Sequence, residues 1–181
     1  TIDPQVVFEH AHSVYVAIDG HLAGAITIQD RIRDGMGVAI KSLKALGVKR
    51  SLILTGDEYD NAEVVARRLK IDTVYAKLLP EDKVRILKNE CSKGKVVMVG
   101  DGMNDAPALA LADVGITFGG KRTDLAVEAS DIVIVKDNPI LIPEVLQLSK
   151  TTLRTVRQNV YMTVMLNGSA ILLTVFGLLS P

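Results

Sequence analysis

The chain has 181 residues, 48% of them hydrophobic and 23% charged, which gives room for an ordinary domain with a core and excludes a disordered segment. Its 21 Lys and Arg balance 21 Asp and Glu, and aromatics reach only 4% with no Trp, which excludes a basic nucleic-acid surface and a stacking platform for single strands. The one cysteine, Cys91, excludes an internal disulfide or a multi-cysteine metal site within the chain.

Ser13 to Asp19 alternates and is β-branched, Gly20-His21 supplies a turn, and Leu22 to Ile28 resumes the alternation. This predicts a β-hairpin. The period then changes. Met36 to Leu46 has helical spacing and is closed by Gly47. Arg50 to Leu54 reads as a short apolar strand, Asn61 to Leu69 as a helix and Thr73 to Ala76 as a strand. Pro80 to Cys91 is a helix with proline in its first turn. Lys95 to Val99 is a strand, Ala106 to Ala112 a helix, Val114 to Phe118 a strand, Thr123 to Ala129 a helix and Ile132 to Val135 a strand. Strands alternating with helices imply an α/β fold with a parallel sheet covered on both faces.

The last charged residue is Arg157. Val160 to Leu179 is a run of 20 residues whose only polar members are Tyr, Thr, Asn and Ser. As a helix it would be about 30 Å long, the thickness of a bilayer core. The competing reading is a buried core helix. Lys150, Arg154 and Arg157 precede the run, which by the positive-inside rule puts the preceding domain in the cytoplasm. The opening on Thr1 and the stop at Pro181, just after this run, read as a piece of a longer chain.

In doubly wound sheets, chemistry collects at the carboxyl ends of the strands. Two strand ends here run straight into polar residues, Thr55-Gly56-Asp57 and Gly100-Asp101-Gly102-Met103-Asn104-Asp105. Two aspartates four residues apart on a turn suit Mg²⁺, which binds through one or two carboxylates and keeps waters for the rest. Lys83 follows Pro80-Glu81-Asp82 at a helix start, where an ammonium can reach a phosphate as a point charge. Gly115 to Gly120-Lys121 has P-loop spacing, but Arg122 stands where Ser or Thr should bind the metal, so a P-loop is discounted.

The string from Val99 to Ala112 resembles the hinge motif of P-type ATPases. Thr55-Gly56-Asp57, Pro80-Glu81-Asp82-Lys83, Thr123-Asp124 and Glu128-Ala129-Ser130-Asp131 fall in the matching order. Asp30 and Arg33 are similar to the Asp-x-x-Arg segment where that family's chain re-enters its phosphorylation domain, and Gln158-Asn159 points to the heavy-metal-transporting branch. The resemblance implies a haloacid-dehalogenase-like, Rossmann-like parallel sheet that lacks its nucleophile strand. Residues 1–28 would be the closing hairpin of the nucleotide-binding domain, 29–148 most of the phosphorylation domain, and 149–181 a linker and a transmembrane helix. The cofactors implied are Mg²⁺ and ATP. The implied partners are the membrane, a heavy-metal cation and the rest of the parent chain, with no nucleic acid.

Residue by residue, the resemblance implies that Asp101 holds Mg²⁺ against the transferred phosphoryl group, with Asp105 supporting the hinge and the ion. Lys83 would neutralise phosphoryl oxygens, Thr55 and Gly56 would contact the group, Asp57 would stabilise that loop and Asn104 would orient the site. Asp30, Arg33 and Gly102 would serve nucleotide binding. The family's nucleophile is the Asp of an Asp-Lys-Thr-Gly-Thr motif. The only Asp-Lys here is Asp82-Lys83, followed by Val84, so the nucleophile is expected outside the chain and the chain alone is expected to be inactive. Asn167 matches the Asn of the copper branch's Tyr-Asn pair, with Leu166 in place of the Tyr. It reads either as part of the transported-metal path or as a residue packing against a neighbouring helix. A soluble phosphatase of the same superfamily would need an Asp-x-Asp nucleophile and is set aside. A non-catalytic, membrane-anchored haloacid-dehalogenase-like module that binds nucleotide or a partner is the alternative reading.

Overall fold

The computed structural model describes residues 13–27, 31–100, 103–119 and 124–177. The chain divides into two compact units, Thr1–Arg33 and Asp34–Pro181, and each is described by itself.

The first unit contains a hairpin. β1 (Ser13–Ile18) pairs antiparallel with β2 (His21–Thr27), from Ser13 opposite Thr27 to Ile18 opposite His21, with a register shift between Val16 and Ala17. The turn lies at Asp19-Gly20, with φ of 50° and 79°. That is one residue before the Gly20-His21 expected. A two-residue hairpin turn needs positive φ at both central positions, which Asp-Gly supplies and His does not.

The second unit alternates helices and short strands. Its elements are α1 (Met36–Ala45), β3 (Leu52–Leu54), α2 (Tyr59–Leu69), β4 (Thr73–Tyr75), α3 (Pro80–Cys91) and β5 (Val97–Gly100). A single 3₁₀ turn (Met103–Asp105) follows, then α4 (Ala106–Leu111), β6 (Val114–Phe118), α5 (Asp124–Glu128), β7 (Ile132–Ile134) and α6 (Leu141–Val175). The strands form two parallel sheets, β3-β4 and β5-β6-β7. Leu52 stands opposite Thr73, Val97 opposite Val114, and Ile116 opposite Ile132. Among the described residues β3 and β5 each pair on one side only.

The apolar core sits around β6 and β7. Ile116, Phe118, Ile134 and Ile142 are buried together, with Leu43 of α1 and Leu141 packed against them. Ala106, Ala108 and Leu109 of α4 are buried, as are Ala39, Ala62, Ala66 and Leu87.

One device recurs at the amino ends of the strands. An Asp directly before a strand accepts the backbone N–H at the base of the neighbouring strand. Asp72, before β4, takes the Ser51 N–H at 2.8 Å; Asp113, before β6, takes the Val96 N–H at 2.9 Å; Asp131, before β7, takes the Gly115 N–H at 2.8 Å. These N–H groups stand at or before the start of the ladder, and the carboxylates supply acceptors that the neighbouring strand does not. Lys44 and Lys95 pair with the first two carboxylates at 2.9 and 2.6 Å. The Ser51 hydroxyl first, and then Lys44, hold the Asp72 carboxyl well below the usual carboxylate range. Lys95 first, and then the Val96 N–H, lower that of Asp113.

The carboxy-terminal helix differs from expectation. α6 runs for 35 residues without a break, and Lys150 donates to the Leu46 carbonyl at the end of α1. Among the described residues no helix is long and apolar enough to cross a membrane. The helix is present as expected, but the described residues do not show it to be transmembrane. The helical part of the apolar run, Val160 to Val175, spans about 24 Å at the helical rise of about 1.5 Å per residue. A bilayer core is about 30 Å, and Asn167, Gly168 and Ser169 interrupt the apolar run. Its expected end, residues 178–179, lies outside the described residues.

Candidate functional site

The carboxyl end of β3 leads into Thr55-Gly56-Asp57, and local hydrogen bonds close this loop. The Thr55 hydroxyl donates to the Asp57 carboxylate at 2.7 Å and accepts from the Asp57 N–H at 3.1 Å. The loop after β4 ties it down. Thr55 N–H donates to the Tyr75 carbonyl, Leu78 N–H to the Thr55 carbonyl, and Lys77 N–H to the Asp57 carbonyl, at 2.9 to 3.0 Å. Lys77 adopts φ of 55° to make this turn, and its ammonium pairs with Glu58 at 2.5 Å.

Lys83 comes from the first turn of α3. That turn is fixed by Pro80 and by the Asp82 carboxylate, which accepts the Leu79 N–H at 3.2 Å. Proline at this position loses no helical hydrogen bond, and an acid in the first turn suits the helix dipole. Lys83 Nζ lies 2.7 Å from Asp105 Oδ1, with the two side chains only 13% and 16% exposed. Asp105 closes the 3₁₀ turn after β5. The pair therefore links the helix that follows β4 to the turn that follows β5.

Gly100, the last residue of β5, lets Asp105 approach. A Cβ at Gly100 would stand 2.9 Å from Asp105 Cβ and 3.2 Å from its Oδ2. Val99, Gly100, Asp105 and Phe118 line one shallow cleft of about 240 Å³. Next to it, Val97 and Val99 are 51% and 39% exposed, although strands of a parallel sheet are normally covered on both faces.

The structure thus places Thr55, Gly56 and Asp57 on one loop, and brings Lys83 and Asp105 into contact. Asn104 is exposed beside Asp105. Asp30, Asp101 and Gly102 lie outside the described residues. Arg33 belongs to the first unit. Asn167 is exposed on α6. The donor set fits Mg²⁺ by its chemistry: the side chains are oxygen ligands, and the ion needs only one or two carboxylates. Among the described residues no group of three His, Cys, Asp or Glu could hold a metal ion. Sequence reasoning missed Thr117, whose buried hydroxyl donates to the Gly100 carbonyl at 2.9 Å. The available signal was a hydroxyl in an otherwise apolar strand.

The chain matches the haloacid dehalogenase-like hydrolase family over residues 3–113. It is 42% identical over 173 residues to a cadmium, zinc and cobalt-transporting ATPase of Bacillus subtilis (strain 168), covering 91% of this chain and 24% of that protein. It is 41% identical over 170 residues to a copper-exporting P-type ATPase of Mycobacterium tuberculosis (strain H37Rv), covering 93% of this chain and 22% of the relative. The crystal structure of a zinc-transporting PIB-type ATPase in the E2.Pi state superposes with a TM-score of 0.81 at 34% identity, over 93% of this chain and 27% of that one. The chain spans about a quarter of the length of the curated relatives it matches. With its alternating helices and parallel strands, its polar loops at the carboxyl ends of β3 and β5, and this match, the chain belongs to the haloacid dehalogenase-like hydrolase family and is similar to one segment of the heavy-metal P-type ATPases.

Proposed function

We propose that the chain is the phosphorylation-domain segment of a heavy-metal-translocating P-type ATPase. The whole protein would couple ATP hydrolysis, through an aspartyl phosphate, to movement of a metal cation across a membrane. The observation that carries this reading is the Lys83–Asp105 pair, 2.7 Å apart and mostly buried, at the end of a strand whose other edge is unpaired among the described residues. A cation and a carboxylate set there make one half of a phosphoryl-transfer site. The half that is absent, a nucleophile on a neighbouring strand, fits the free edges of β3 and β5.

In this reading Lys83 neutralises the oxygens of the transferred phosphoryl group, and desolvation strengthens that interaction. The Thr55 hydroxyl turns from Asp57 to the phosphoryl group, and Asp57 with Gly56 keeps the loop in shape. Asp101 and Asp105 would hold Mg²⁺, which neutralises phosphoryl charge when bound, and Asn104 orients that turn. Asp30, Arg33 and Gly102 serve ATP binding. Residues 1–28 end the nucleotide-binding domain, 29–148 belong to the phosphorylation domain and 149–181 lead into the membrane.

The membrane assignment draws its support from α6. Beyond Arg157 it carries no charge, and Tyr161, Met162, Leu166 and Ile171, which point to different sides of the helix, are 72%, 67%, 63% and 64% exposed. Apolar surface on every side of a helix is normally covered by lipid or by other helices. Lys150, Arg154 and Arg157 put the catalytic part on the cytoplasmic side. Asn167 would line the path of the transported cation.

Phosphorylation of the intact protein tests the proposal. With labelled ATP, Mg²⁺ and each of zinc, cadmium, cobalt, copper and manganese, an acid-stable, hydroxylamine-sensitive phosphoprotein is expected with at least one metal. It should be lost in Lys83→Ala and absent from this chain alone. No phosphoprotein with any metal, or labelling of the chain by itself, would overturn the reading.

A further inference from the structure

We propose that Thr117 is a positioning residue of this site: through Gly100, its buried hydroxyl fixes where Asp105 presents its carboxylate and therefore where Lys83 stands. Two buried residues with polar side chains occur among the described residues, Glu90 and Thr117. Glu90 is accounted for by Arg50 and Lys93, which pair with it at 3.0 and 2.8 Å. Thr117 is not part of any ion pair or polar cluster. It is fully buried in β6, between Ile116 and Phe118, which both belong to the apolar core. Valine has the same shape and the same preference for strands, and it would bury no hydroxyl. The hydroxyl has one described use, the 2.9 Å bond to the Gly100 carbonyl.

That carbonyl is at a sensitive place. Gly100 stands opposite Thr117 in the register and is the last residue of β5. On its other side there is no slack, because the space a Cβ would take is closed by Asp105 Cβ at 2.9 Å, Cγ at 3.3 Å and Oδ2 at 3.2 Å. Asp105 Oδ1 in turn holds Lys83 Nζ at 2.7 Å. The contacts run from β6 through the end of β5 and the 3₁₀ turn to the first turn of α3. Close-packed contacts transmit displacement, so releasing Gly100 moves the pair.

Thr117→Val and Thr117→Ser, made in the intact protein, test this. Hydrogen exchange of the segment 97–106, measured without nucleotide, is expected to speed up about tenfold in Thr117→Val, as for loss of one internal hydrogen bond. Thr117→Ser should match the natural protein. The kinetic arm rests on the function proposed above. In Thr117→Val the Mg²⁺ concentration for half-maximal ATP turnover should rise about tenfold, the low end for losing an outer-shell partner. If Thr117→Val does not fold, Thr117→Ala is read in its place. Unchanged exchange in 97–106, or Thr117→Ser behaving like Thr117→Val, would overturn the proposal. If the natural protein turns over no ATP, the functional reading fails while the exchange arm still decides the role of Thr117.

Discussion

Gly100→Ala perturbs the site by a known amount. The φ of Gly100 lies outside the positive range, so alanine can adopt the backbone and the effect is steric. The new Cβ would meet Asp105 Cβ at 2.9 Å. Rotation about χ1 moves the Asp105 carboxylate but leaves its Cβ in place, so the conflict is relieved only by the backbone of the 3₁₀ turn. To reach ordinary contact, that backbone must recede by about 0.5 Å, a small overpacking shift. The carboxylate rides on it, and Lys83 either follows or loses its 2.7 Å partner. Displacement of a reacting constellation by a fraction of an ångström to one ångström costs up to about a hundredfold in rate. A fall of about ten- to thirtyfold in the phosphorylation rate of the intact protein is therefore expected. Stability should fall by no more than about 2.6 kcal/mol, since the reduced freedom of the unfolded chain, about 0.4–1 kcal/mol in favour, offsets part of an overpacking cost of about 1–3 kcal/mol. Rapid-quench phosphorylation, alongside thermal unfolding, separates the two. Gly94→Ala is the control, because nothing lies within 4 Å of its added Cβ. A phosphorylation rate for Gly100→Ala within about threefold of the natural protein would refute the argument, since a displacement of this size predicts more.

Three further outcomes are expected. In Asp113→Ala the Val96 amide loses its acceptor, and its exchange protection should fall about tenfold; Gly115, held by Asp131, should keep its own, and equal losses at both would show general loosening instead. Asp72, Asp113 and Glu90 all have lowered pKa values, Glu90 mainly through Lys93 and then Arg50. A lowered folded value means that the stabilisation is complete above the unfolded value, near about pH 4, and is lost as pH falls through the folded one. Amide protection at Ser51 and Val96, corrected for intrinsic rates, should therefore survive at about pH 4 and disappear only below it; a loss already at pH 5 to 6 would contradict the assignment. Asn167→Ala in the intact protein should reduce metal-stimulated ATP turnover, and unchanged turnover and transport would remove Asn167 from the cation path.

The second unit was legible wherever period and punctuation agree. The sequence reading of Pro80 to Cys91 and of Val114 to Phe118 matches the structure to the residue, because proline marks a helix start, and Asp113 and Gly119 bound a short β-branched and aromatic segment. Arg50 was read as the start of β3, but that strand begins at Leu52. The Arg50 side chain reaches Glu90 on α3, and Ser51 is spent on Asp72. These partners are 40 and 21 residues away in the chain, beyond any local pattern. The same limit hid Thr117, since its significance depends on the Gly100 carbonyl 17 residues earlier. The long reach of α6 back to Leu141 was missed because charged and polar residues from Gln147 to Asn159 broke the apolar run, although none of them breaks a helix.

The two ends of the strands divide the carboxylates of the chain between them, and this narrows the choice of chemical groups. Asp72, Asp113 and Asp131 lie at the amino ends, each accepting a backbone N–H. A carboxylate spent in this way is a poor nucleophile or proton carrier, because moving its charge would uncover a donor. Asp82 is spent likewise on Leu79 and Arg85, and Glu90 on Arg50 and Lys93. At the carboxyl ends of β3 and β5, Asp57 is held by the Thr55 hydroxyl and Asp105 by Lys83. Asp57 is bonded through a group that can rotate away, and Asp105 through a mobile ammonium with two further donors. Neither is locked to the backbone, and both stand on loops after strands with an edge unpaired among the described residues. The parts that can exchange partners are thus confined to one end of the sheets, where a phosphoryl group on a strand beside β3 and β5 would meet them.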